Sequence, residues 1–169
     1  MLSWLEGTPI SQWVAQSDLG YPILLSIHSM GMATVVGLLI LLDLRVLGVA
    51  RIIPLAAFEK LMPLAWIGFL FNLCSGVLLF SATATHMIGN WPFLSKMASI
   101  ALGGVVSWAL WRSLRSTADE MSASGEATAS LMVTPTSKAL AVASIIVWLV
   151  AIFFGRLIAY VLDAAMLAG

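Results

Sequence analysis

Residues 21–45 read Tyr21-Pro22-Ile23-Leu24-Leu25-Ser26-Ile27-His28-Ser29-Met30-Gly31-Met32, then an apolar run from Ala33 to Leu42, then Asp43-Leu44-Arg45. The stretch from about Pro22 to Leu42 is as long as the roughly 20 residues that cross a bilayer's hydrocarbon. It carries one imidazole about a third of the way in and closes on a charged pair. The composition points the same way. Hydrophobic residues make up 61% and charged residues 9% of the 169, and the mean hydropathy is +1.03. Soluble domains run at about 45–50% and about 25%. An integral membrane protein is the class that fits.

Three further apolar runs follow, at about 61–85, 92–114 and 138–162. With 22–42 they predict four transmembrane helices joined by short connections, an all-α, antiparallel four-helix bundle forming one domain over residues 1–169. Thr8-Pro9 reads as an N-cap with proline at the first helical position, opening a short helix over 8–18. Trp4, Ile10, Trp13 and Val14 among polar neighbours suggest that this helix lies at the membrane interface. Pro54 and Pro63 predict a turn of helix at 55–60 leading into the second span through a kink. Asn90-Trp91-Pro92 reads as a tight turn, residues 116–137 as a solvated loop, and Thr134-Pro135 as the cap of the fourth span.

The first twenty residues hold Glu6 and Asp18 and no Lys or Arg, which argues against a secretory signal peptide. Arg45, Arg51, Lys60, Arg112, Arg115 and Lys138 fall in the 43–60 and 112–138 connections. The opposite side has only Lys96, at the edge of the third span. The positive-inside rule then predicts that both termini face away from the cytoplasm, the periplasmic side if the membrane is a bacterial inner one. A net charge of zero gives no reason to expect a nucleic-acid partner. The lone Cys74 excludes a disulfide framework and reads as a small packing residue.

Polar groups inside the spans are the candidates for function. His28 lies seven residues past Tyr21, roughly 10 Å deep, and His86, four residues before Asn90, about 6 Å deep. The spans run in opposite directions, so both imidazoles are expected in the same half of the bundle, facing each other. Helical spacing back from His86 gives Ala82, Leu79, Ser75, Asn72 and Gly68, a small and polar stripe. Lys96, Ser99, Gly103 and Ser107 form one on the third span, and Ala151, Gly155 and Ala159 one on the fourth. Gly31 lies a turn below His28. Such stripes serve close helix packing or leave a slot for a flat cofactor. Arg156, seven residues before Asp163, sits at the depth of His28 and needs an anion, snorkelling, or a pair with Asp163. Asp43 and Arg45 read as a local pair.

At Tyr21-Pro22…His28…Gly31…Gly37…Leu42-Asp43-Leu44-Arg45-Val46-Leu47-Gly48 the chain resembles an uncharacterised family of small bacterial four-span inner-membrane proteins. The resemblance continues at Ser75-Gly76-Val77-Leu78-Leu79-Phe80, Phe93-Leu94-Ser95-Lys96-Met97 and Gly155-Arg156-Leu157-Ile158-Ala159-Tyr160, so it touches all four spans. More distantly the chain is similar to the membrane part of copper-resistance protein D and to four-helix b-type cytochromes. Those likenesses imply a metal or haem near the outer surface.

Three readings follow. In the first, His28 and His86 are axial metal ligands of one haem b, with Arg156 and Lys96 at its propionates and Gly31 beside it. The protein then transfers electrons between quinone and an outside partner. In the second, His28 and Arg156 make interhelical hydrogen bonds in an accessory or assembly subunit of a larger membrane complex. In the third, Met30, Met32 and Met87 join the imidazoles in handling copper, since thioether and imidazole suit Cu(I). The partners implied are the lipid bilayer, a quinone or membrane complex, and further copies of the chain.

Overall fold

Thr8-Pro9-Ile10-Ser11 and Thr134-Pro135-Thr136-Ser137 open two of the helices in the same way. In each, the threonine hydroxyl accepts the backbone N–H three residues on, at 3.3 Å from Ser11 and 3.1 Å from Ser137. In each it also meets that serine's hydroxyl at 2.8 Å. Proline costs nothing at the first helical position, where its missing N–H would have no partner. The computed structural model describes residues 2–124 and 133–167. Its helices are α1 (Ser3–Glu6), α2 (Pro9–Gln16), α3 (Gly20–Val46), α4 (Leu55–Ala82), α5 (Ala84–Ile88), α6 (Trp91–Ser124) and α7 (Pro135–Leu167).

Four of these are long and apolar enough to cross a membrane, over Gly20–Val46, Ala57–Ala82, Trp91–Ser116 and Pro135–Val161. The fold is an all-α four-helix bundle. It is built as two hairpins: α3 packs along α4 and α6 along α7, and α3 against α7 joins them. The short α2 lies against α3 and α4, and α1 against α4 and α5. Large apolar side chains such as Trp66, Leu70, Val105, Trp108 and Phe153 are exposed around the outside, as a lipid-facing surface requires.

Several boundaries differ from the sequence expectations. Pro22 falls in the first turn of α3 and does not delay its start. Pro63 sits inside one helix running from Leu55 to Ala82. Helix α6 continues to Ser124, so the expected 116–137 loop is helical over 116–124; residues 125–132 lie outside the described residues. A helix already formed adds one hydrogen bond per residue fixed, so a polar stretch rich in Ala, Ser and Met extends it easily.

The end of α3 is set by Gly48, whose φ of +88° only glycine adopts freely. Val49 N–H bonds Leu44 O at 3.0 Å and Gly48 N–H bonds Arg45 O at 3.1 Å, the paired bonds of a Schellman cap. Around this end Leu42, Val46, Phe58, Leu110, Leu114 and Ala141 from all four spans form the largest buried cluster. A second cluster, Val36, Trp148 and Ala151, lies further along α3 and α7.

Candidate functional site

The α3–α4 contact brings backbone nearly against backbone. A Cβ on Gly31 would stand 2.7 Å from Gly68 O and 2.8 Å from Asn72 N. One on Gly68 would meet the Thr34 side chain at 2.9 Å, and one on Gly76 would meet His28 Cε1 at 3.0 Å. Gly68, Asn72 and Gly76 recur every fourth residue on one face of α4, and α3 lies in the groove they leave.

In that groove His28 and Asn72 exchange hydrogen bonds. Asn72 Nδ2 donates to His28 O at 2.7 Å, and His28 Nδ1 donates to Asn72 O at 2.9 Å, with Ser75 Oγ at 3.2 Å. A carbonyl can only accept, so Nδ1 carries the proton and Nε2 presents its lone pair. Lys96 Nζ from α6 lies 3.5 Å from that nitrogen. The lysine stem crosses α7 at Gly155, where an added Cβ would meet Cε at 3.5 Å. His28, Asn72 and Lys96 thus draw on three spans, with Gly155 supplying room on the fourth.

A small cavity of about 40 Å³ adjoins this cluster, bounded by Asn72 and Lys96 and by apolar groups including Met32, Val36, Phe69 and Trp148. From Trp148 a second polar chain leads away. Its Nε1 donates to Ser107 Oγ at 3.0 Å, and Ser107 Oγ lies 3.3 Å from Ser144 Oγ. Indole N–H only donates, so Ser107 accepts from Trp148, and Ser144 is in turn hydrogen-bonded to the Asp43 carboxyl, which closes the chain on α3. Asp43 is buried and its Oδ2 has no partner among the described residues. The expected Asp43–Arg45 pair does not form, because Arg45 Nε donates to Ile53 O at 2.6 Å and pins the loop after α3. Asp43 turns inward to α7 instead.

Of the residues singled out from sequence, His28, Lys96 and Gly31 come together. His86 does not join them. Thr83, at φ −141° and ψ 30°, ends α4, and His86 falls on the separate helix α5, exposed. Its surroundings include Glu6, whose carboxylate accepts from Thr85 N at 2.8 Å and Thr85 Oγ1 at 2.6 Å. Those two bonds, with a smaller effect of His86, hold Glu6 below the usual carboxylate range. Arg156 is exposed on α7. A pair with Asp163 concerns a side chain outside the described residues. Met30 is exposed, Met87 partly so, and Met32 borders the cavity. Cys74, expected as a packing residue, is exposed on α4.

This arrangement does not fit an axially ligated haem. The Nε2 lone pair that iron would need faces Lys96 Nζ, and Nδ1 is spent on Asn72 O. The slot that Gly31 was expected to open is closed by the backbone of α4. The adjoining cavity falls far short of the roughly 300 Å³ of even a small ligand pocket. The residues sequence reading passed over are Ser144 and Trp148, together with the roles of Asn72 as His28's partner and of Gly76 as the room for its ring. The four-residue recurrence of Gly68, Asn72 and Gly76 was the one available signal. Comparison with protein-family models, curated proteins and solved structures finds no match.

Proposed function

We propose that this chain is a non-catalytic integral-membrane subunit, a bundle that docks into a larger membrane assembly. The observation that carries the reading is how His28 is used. Both its ring nitrogens and its carbonyl are engaged by neighbouring helices, which is the work of a residue that fastens spans together. The exposed Arg156 supports it from the other side. A guanidinium on the outer surface of a span costs at least a few kcal/mol unless it reaches water or meets an anion, and a partner's carboxylate supplies one. In this proposal the protein lies in a bacterial inner membrane with both termini periplasmic, as the Lys and Arg distribution argues.

The test is purification in mild detergent, followed by a reduced-minus-oxidised spectrum, elemental analysis and native electrophoresis. The expected result is a stoichiometric complex that dissociates in Arg156→Glu, with no Soret band and no stoichiometric copper. A Soret band abolished by His28→Ala would return the protein to the b-type cytochromes and overturn the proposal.

A further inference from the structure

Lys96 is five residues into α6, counted from Trp91. Helical side chains lean toward the N-terminus of their helix, which here is the near membrane boundary. A lysine so placed has a short route to water by snorkelling. It takes the opposite course, lying across Gly155 and pointing Nζ at His28. The imidazole offers one neutral acceptor at 3.5 Å and no countercharge. Among the described residues no carboxylate pairs with Lys96.

Asn72 and Lys96 are the polar residues bordering the 40 Å³ cavity whose side chains still hold N–H groups not spent on the bonds described, since the Trp148 N–H goes to Ser107. That space exceeds the 10–15 Å³ or so needed for one water, and most of its wall is hydrocarbon and aromatic. We propose that the cavity is a binding site for a small, weakly hydrated monovalent anion of chloride size, held by the Lys96 ammonium and the Asn72 amide. Such an ion costs far less to dehydrate than a multivalent oxyanion, and its single charge is matched by one ammonium. Sulfate or phosphate would need more of both donors and room. The anion supplies the charge that lets Lys96 remain inside the bundle, at the point where both hairpins meet. The inference stands apart from the subunit proposal, since it concerns the isolated chain.

The full chain in lipid nanodiscs is titrated into sodium chloride and the ³⁵Cl NMR linewidth followed, with bromide as competitor and gluconate keeping ionic strength constant. The wild type is expected to broaden the line, and bromide to reverse the broadening. Lys96→Met is expected to abolish at least nine-tenths of the excess linewidth. Met32→Glu, which places a carboxylate on the cavity wall, is expected to abolish it too while keeping the protein folded. A wild type that gives no excess linewidth, the cavity then holding water only, would overturn the proposal. So would broadening that bromide does not compete, or that persists in Lys96→Met. Should Lys96→Met fail to fold, bromide competition in the wild type and the folded Met32→Glu variant decide the matter.

Discussion

Asn72→Ala removes the carboxamide that donates to the His28 carbonyl from α4, leaving that carbonyl only the N–H of its own helix. Interhelical hydrogen bonds in membrane proteins contribute about 0.6 kcal/mol on average and up to about 1.7. A loss of about 1–2 kcal/mol is expected for this residue, read by unfolding in mixed micelles with added SDS. An unchanged midpoint would show that the exchange of bonds does no holding. Glycines give a sharper contrast. Gly31→Ala forces a methyl to within 2.8 Å of α4 backbone atoms, which cannot rotate away as a side chain would. Overpacking of this kind costs about 1–3 kcal/mol. At Gly37 nothing lies within 4 Å of the added methyl, so Gly37→Ala is expected to be neutral or to stabilise by about 0.5–1 kcal/mol. Both changes were equally plausible from sequence, because a small residue in a span does not reveal which helix faces it.

Single elements were more legible. The N-caps at Thr8 and Thr134, and with the first the short helix α2, follow from local chemistry, since threonine, proline and the waiting N–H groups are all within one turn. Thr134→Ala is expected to cost about 1 kcal/mol and Gly48→Ala a similar amount, the second through strain at φ +88°. Thermal unfolding of the two variants in detergent checks both. The contact of α1 with α5 depends on an ionised Glu6. Its two bonds to Thr85, with His86 adding a little, depress its folded pKa below 4.5, so the tie is fully present above the unfolded value. It is lost as pH falls through the folded pKa, that is, below about 4.5. Amide exchange at Thr85 should therefore quicken as pH drops from 5 to 3, after correction for intrinsic rates. In Glu6→Ala it should already be fast at pH 5. Equal corrected rates at both pH values would contradict this.

At the scale of the whole molecule, two hairpins are held together by polar links near either end of α3. His28 faces Lys96 near one end, and Asp43 reaches Ser144 near the other, about 22 Å away along the helix. Ser144→Ala breaks the donor chain from Trp148 and leaves a buried carboxyl with less to hold it. A cost of about 1–3 kcal/mol is expected, together with faster separation of engineered cross-linking pairs between α3 and α7. Truncating Ser26, which is exposed and bonds only its own helix at Pro22 O, should leave both unchanged. Equal effects at Ser144 and Ser26 would rule out the chain as a link between hairpins.

The number of long apolar helices, their approximate limits and two N-caps, those of α2 and α7, were determined by the sequence alone. These depend on hydropathy over twenty residues, or on bonds closed within four, and both are local. The place of His28 along the first long helix was legible for the same reason. Its partners were not. A helical period says which residues share a face, but not which face of which neighbour it meets. So Asn72, Ser75 and Lys96 emerged as His28's neighbours only when the helices were packed. The expected meeting of His28 and His86 failed on one residue: Thr83 ends α4, and every extrapolation of its face beyond that point loses its phase. Asp43 shows the same limit, for its neighbour in sequence, Arg45, bonds a loop carbonyl, while Ser144, a hundred residues on, meets its carboxyl. Tertiary packing decides such pairings, because a buried polar atom takes whatever donor the facing helix brings within reach.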